Sequence, residues 1–121
     1  MMMNFSPRPV IWLGNSRKNI RAFPKIVQKE FGGAIFVAQC GGMPDHAKPL
    51  KGIGSGVLEI IERYDTDTYR VVYAVQFRNA VYILHVFQKK SKKGIKTSQQ
   101  DIKLIKQRFQ QAQNDSQSSS Q

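Results

Sequence analysis

The chain has little cysteine, little acid and no long apolar run. A single cysteine, Cys40, in 121 residues excludes an internal disulfide and a cysteine-built metal centre. Only 8 carboxylates stand against 19 lysines and arginines, which leaves a formal charge of +11 and a pI near 10.1. Such an excess goes beyond what solubility asks and favours a polyanion, an acidic protein or an anionic membrane surface as partner. No run approaches the ~20 apolar residues of a spanning helix, so no membrane association is expected. The apolar start Val10-Ile11-Trp12-Leu13 is too short for a signal-peptide core and has no cleavage pattern behind it. A reducing cytoplasm is therefore the expected compartment. His46 has no partner at ligand spacing, so no metal and no other cofactor is expected. At 40% apolar content the chain suits one domain with a modest core.

What the chain does have is lysine, and much of it in one place. The stretch VYILHVFQKKSKKGIK, from Val81 to Lys96, begins as an apolar strand carrying His85. It ends with Lys89, Lys90, Lys92, Lys93 and Lys96 inside eight residues. A strand cannot pass from a core straight into such a cluster unless the cluster lies at a rim. There the ammonium groups stay solvated or meet a polyanion.

Along the chain, Pro7 and Pro9 argue for a flexible start over residues 1–9. Val10 to Leu13 reads as a short strand closed by the Gly14-Asn15 turn. Ser16 caps a helix whose Ile20, Phe23, Val27 and Phe31 recur at helical spacing; Pro24 kinks or restarts it. Gly32-Gly33 predicts an interruption, and Ala34 to Cys40 a second short helix. The hairpin exposes Arg17, Lys18, Arg21, Lys25 and Lys29. Met43 to Ser55 reads as a loop holding His46, Lys48 and Lys51. Strands at 57–64, 68–77 and 80–88 then form an antiparallel meander. Thr97 and Gln100 predict a capping box for a closing helix with Ile102, Ile105, Phe109 and Ala112 on one face. From Gln113 to residue 121 the composition predicts a disordered polar tail.

The expected fold is thus α+β, in the order β-α-α-β-β-β-α, a mostly antiparallel sheet with helices on one face and the other face free. Alternation puts Glu59, Arg63 and Arg70 on that free face, beside Val72 and Ala74. Both parities of the last strand are apolar; if His85 joins the free face with Ile83 and Phe87, Lys89 follows.

The runs YDTDTYRVVYAVQF and AVYILHVFQKKSKKGIKTSQQDIKLI, with AFPKIVQKEFG and AKPLKG upstream, resemble the phage-related HigB-type toxins of the RelE superfamily. The likeness extends from about Val10 to Phe109. It implies a RelE-like toxin domain over residues 10–112. It also implies a cytoplasmic type II toxin, a ribosome-dependent mRNA endoribonuclease, held inactive by an antitoxin that often carries a helix-turn-helix. The partners implied are mRNA, the ribosome and that antitoxin. Cleavage by 2′-hydroxyl attack needs a base, cations around the phosphorane and an acid for the leaving oxygen, and electrostatic stabilisation is usually the largest contribution. The resemblance assigns Arg70 as a phosphate clasp and Lys89 as a second cation. Lys51 joins them from the bordering loop, and His85 is the candidate acid or base. Arg63, Lys48, Lys90, Lys92, Lys93 and Lys96 are candidate RNA contacts.

Each assignment has a structural counterpart. Arg70 can pair with Glu59 or Glu62 across the meander, His85 can be a packed core residue, and the lysines can be solvated. Relatives carry a basic residue where this chain has Glu59 and Ile61, and a tyrosine or histidine near the start of the last helix, where this chain has Gly94 to Ser98. That leaves two further function classes. One is a non-catalytic inhibitor such as a ParE-like gyrase poison; the other is a basic RNA-binding module. Replacing Lys92 and Lys93 by alanine is expected to flatten the salt dependence of single-stranded RNA binding by roughly 0.7 per lost phosphate contact, and an unaltered slope would mean that these lysines face only water.

Overall fold

The structure, a computed structural model, describes residues 6–89 and 97–119. The described elements are β1 (Val10–Trp12), α1 (Ser16–Arg21), α2 (Lys25–Gln39), β2 (Ala47–Pro49), β3 (Val57–Tyr64), β4 (Asp67–Ala74), β5 (Val81–Lys89) and α3 (Gln99–Ser119). The five strands make one sheet in the order β1-β5-β4-β3-β2. β1 runs parallel to β5, and the other neighbours are antiparallel. The fold is α+β, as expected, with one strand more than the sequence announces. That strand, β2, falls in the stretch read as a loop: Ala47, Lys48 and Pro49 pair with Ile60, Glu59 and Leu58. Three residues show no alternation, and a proline belongs only on a sheet edge, which is where this one sits.

The helix break also moves. Pro24 takes an extended conformation, φ −56° and ψ 146°, and precedes the first turn of α2. Its ring cannot continue α1 but is pre-set to start a helix. α2 then runs through Gly32-Gly33 without interruption. Val27, Phe31, Ile35 and Ala38 are buried along its inner face. That burial outweighs the ~1 kcal/mol each glycine costs in a helix interior.

Both faces of the sheet are covered, which corrects the expectation of a free face. On one side Ile20, Val27, Phe31 and Ile35 pack on Leu58, Ile60, Val71, Tyr73 and Ile83. On the other, Ile105, Phe109 and Ala112 of α3 pack on Val57, Val72, Ala74, Tyr82 and Leu84. The apolar stripe of α3 needs apolar sheet to rest on, and α1 and α2 already occupy the first face. A bulge explains why β5 reads apolar at both parities. Val72 pairs with His85 and Tyr73 with Ile83, so Leu84 is the extra residue. Ile83 faces α2 while Leu84 and His85 lie on the α3 side; the grouping of Ile83 with His85 is thereby corrected.

The ends of the described chain are better tied than composition suggests. The Arg8 amide donates to Gln39 O at 3.0 Å, and its guanidinium donates to Val75 O and Phe77 O at 3.2 and 2.9 Å. Arg8 is thus not part of a loose start; residues 1–5 lie outside the described set. The polar tail expected from Gln113 is helix as far as Ser119. There the Tyr82 hydroxyl donates to Asp115 Oδ2 at 2.8 Å while accepting from Asn79 Nδ2 at 2.8 Å. Helical hydrogen bonding and this anchor substitute for the missing apolar burial. Because Ile105 is fully buried, Ile105→Ala should cost about 2–5 kcal/mol of stability in urea unfolding. A loss below about 0.5 kcal/mol would mean that α3 does not seal the second core.

Candidate nucleic-acid interface

Strand pairing lines up the polar side chains of the α3 face in rows. Lys48, Glu59, Val72 and His85 form one row across β2 to β5. Ile61, Arg70 and Phe87 form the next, and Arg63, Thr68 and Lys89 the last. Paired residues share a face, so the side chains of each row project to the same side. α3 covers the sheet up to the first of these rows, and its first turn closes on His85.

Two buried groups hold the middle. Arg70 Nη1 donates to Glu59 Oε2 at 2.9 Å, with only 4% and 2% of the two side chains exposed. Thr97 Oγ1 approaches the same carboxylate oxygen at 3.5 Å from the lead into α3. Beside them His85 Nε2 lies 2.8 Å from Asp101 Oδ1, and its ring stacks on Phe87 with centroids 4.5 Å apart. The other imidazole nitrogen, Nδ1, lies 3.5 Å from Arg108 Nη1. That guanidinium also donates to Leu84 O at 2.9 Å and to Asn15 Oδ1 at 3.2 Å. A guanidinium has no lone pair to offer, so Nδ1 is the bare nitrogen and Nε2 carries the proton toward Asp101.

Electrostatics agree with a neutral imidazole. Burial pushes the His85 pKa below its ordinary 6.5, and the Arg108 charge adds to this, against the opposing pull of Asp101. For Asp101 burial alone would raise the carboxyl. Hydrogen bonds from His85 and Ser98, with the charge of Lys89, outweigh it and hold the group below its ordinary value. Ser98 Oγ donates to Asp101 Oδ2 at 2.7 Å and accepts from the Asp101 amide at 3.1 Å. The helix cap is therefore Ser98 with Asp101, one position later than the expected Thr97 and Gln100. Gly14 completes the cluster: it has φ +56°, and a Cβ there would collide with the Arg108 guanidinium.

The candidate residues divide. Arg70 is buried and ion-paired with Glu59, the pairing that the sequence also offered beside the phosphate clasp. Removing its side chain would strand a buried charge, so Arg70→Ala is not a fold-neutral probe. His85 is on the expected face but 6% exposed, with both nitrogens engaged. Lys89 stands at the rim, its side chain 26% exposed and its Nζ 3.9 Å from Asp101 Oδ2. Arg63 in the same row and Lys48 at the sheet edge are exposed. Lys48 lies three strand spacings from His85, about 14 Å. Lys51 does not join them. It follows β2 at the opposite end of the sheet, where the neighbouring Gly54 abuts the Phe109 ring. Lys90, Lys92, Lys93 and Lys96 lie outside the described residues. Sequence reasoning missed Asp101 and Arg108, although their seven-residue spacing puts them on one helix face. No group of three or more potential metal ligands occurs among the described residues.

The family described as Phage derived protein Gp49-like (DUF891) matches residues 18–110. The chain belongs to this family. It is a family of RelE/HigB-like toxins, and the five-stranded sheet with its C-terminal helix is consistent with a RelE-like fold. No curated protein and no solved structure matches the chain. Within the described residues no helix is long and apolar enough to cross a membrane.

The depressed His85 pKa sets a pH dependence. The unfolded chain takes up a proton near pH 6.5 while the folded imidazole resists it, so this contribution to stability is present above pH 6.5 and is lost as the pH falls below it. Asp101, also depressed, acts with the same sign at lower pH. Melting temperature should therefore fall from pH 7 toward pH 5, and His85→Gln should flatten that slope. Equal slopes in the two proteins would separate His85 from acid stability.

Proposed function

We propose that this member of the Gp49-like family is the toxin of a type II toxin–antitoxin pair and acts as a ribosome-dependent mRNA endoribonuclease. The observation that carries the reading is the cationic rim: Lys89 and Arg63 in one row beyond the start of α3, with Lys48 at the edge. The sequence continues from Lys89 directly into the lysine-rich segment. Phosphates placed there meet ammonium and guanidinium groups backed by a rigid sheet. Charge on a phosphorane would be stabilised by groups that need no reorganisation. Arg70 acts in this reading as a positioning residue, tying β4 to β3 beneath the rim through Glu59. His85 holds the first turn of α3 beside Lys89. Neither supplies an accessible acid or base, so proton transfer falls to solvent or to the ribosome, and cleavage of free RNA is slow. The partner that restrains the toxin is an antitoxin, expected to be a helix-turn-helix protein.

A second reading, inhibition of translation without cleavage, is favoured by the engagement of both His85 nitrogens and the burial of the Arg70–Glu59 pair. Expression without a partner, followed by mapping of mRNA 5′ ends, decides between them. The nuclease reading expects arrested growth with new ends inside translated codons. Lys89→Ala should lower their yield by about 100-fold with unchanged circular dichroism. Arrest with intact mRNA would establish the second reading, and intact mRNA with broken chromosomes would point to a gyrase poison.

A further inference from the structure

Asp101 is shared between the rim and the interior. Its Oδ1 lies 2.8 Å from His85 Nε2, and its Oδ2 lies 3.9 Å from Lys89 Nζ. The two partners differ in freedom. Lys89 is the last residue of β5 and keeps part of its side chain in solvent. His85 is pinned, its ring stacked on Phe87 and its far nitrogen 3.5 Å from Arg108. Only the lysine can leave the carboxylate without disturbing the core.

A phosphate on the rim competes with Asp101 for the same ammonium group, since both are oxyanions. The charged groups facing His85 can be counted among the described residues. α3 supplies Asp101 and Arg108, β5 supplies Lys89, and Glu59 with Arg70 forms a compensated pair on β3 and β4. In the free chain two cations oppose one carboxylate around the ring. With Lys89 drawn off to a phosphate, one stands against one, and the phosphate adds negative charge nearby. Both changes favour the imidazolium, which keeps Nε2 as donor to Asp101. Arg108 can yield the loose contact at Nδ1, because Leu84 O and Asn15 Oδ1 still hold its guanidinium.

We propose that Asp101 is a latch between Lys89 and His85, so that docking of a polyanion on the rim is accompanied by proton uptake at His85. The inference rests on the RNA reading above and adds its regulation: the rim holds phosphate more tightly as the pH falls. The sign follows from linkage. A complex that binds more protons than the free chain is strengthened by acid, by about tenfold per pH unit for one whole proton. Burial holds the imidazole of the free chain below its ordinary 6.5. The gain therefore appears between about pH 7 and pH 5.5.

The chain has two histidines, so His46→Gln leaves His85 as the single imidazole. The probe for this variant, at low salt, is a 2′-O-methyl oligouridylate, which has no attacking hydroxyl and no group titrating in this range. Its affinity should rise about fivefold from pH 7.5 to pH 5.5, with proton uptake seen by calorimetry in buffers of different ionisation enthalpy. Adding His85→Gln or Lys89→Ala should abolish the uptake. Asp101→Asn, with unchanged circular dichroism, should tighten binding at pH 7.5 by about threefold, because the competing carboxylate is gone. A purely structural role for Asp101 would weaken it instead. Uptake that survives His85→Gln or Lys89→Ala, or weaker binding by Asp101→Asn, would overturn the proposal. Binding without pH dependence would overturn the latch and leave the cationic rim standing; no binding at any pH would overturn both. If proton-linked binding is found but expression yields no new mRNA ends, the nuclease reading fails and the latch stands.

Discussion

A guanidinium and a carboxylate can share a protein interior only if something keeps water from one side and hydrogen bonds satisfy the other. The Arg70–Glu59 pair meets that condition because α3 closes over the sheet and Thr97 approaches the same carboxylate. Burying the charges has a desolvation cost, and losing either partner would cost about 3–5 kcal/mol. The start of α3 cannot drift without weakening the pair. The pair in turn fixes the registry of β3 and β4; Arg63 projects from β3, and Lys89 from β5 on the other side of β4.

The same closure explains the small network around His85. Asp101 serves at once as helix cap, imidazole acceptor and neighbour of Lys89. Arg108 reaches across from two turns further along α3 to the β5 backbone and to Asn15. Gly14 leaves the space for that guanidinium. First strand, last strand and last helix are thus joined at one polar knot, and the rim at its border inherits a fixed geometry.

Much of the architecture was legible in the sequence because it rests on period and on turn chemistry. The alternation in β3 and β4 placed Glu59, Arg63 and Arg70 on one face, and they lie there. What failed had local causes. Gly32-Gly33 looks like a break, yet burial of Phe31 and Ile35 carries α2 through it. β2 is too short to show a pattern. The bulge at Leu84 shifts a strand by one residue, which no periodicity test detects. The site was less legible than the fold. Sequence showed which face Arg70 occupies but not that α3 would cover the apolar part of that face. A face's exposure depends on what packs there, and α3 carries its apolar stripe on a largely polar helix. Lys51 looked near the rim only because a loop was assumed to fold toward it.

The parallel pairing of β1 with β5 has a consequence for how the molecule comes into being. Val10 finds its partner in Val81, seventy-one positions later in the chain. At translation speeds of about 5–20 residues per second, the first strand waits roughly 4–14 s for its neighbour to be made. Until then Val10, Trp12 and the inner face of α2 have no complete sheet to rest on. Maturation of the fold is therefore a late event in synthesis, and newly made chains pass through an interval in which they are open to capture by another protein.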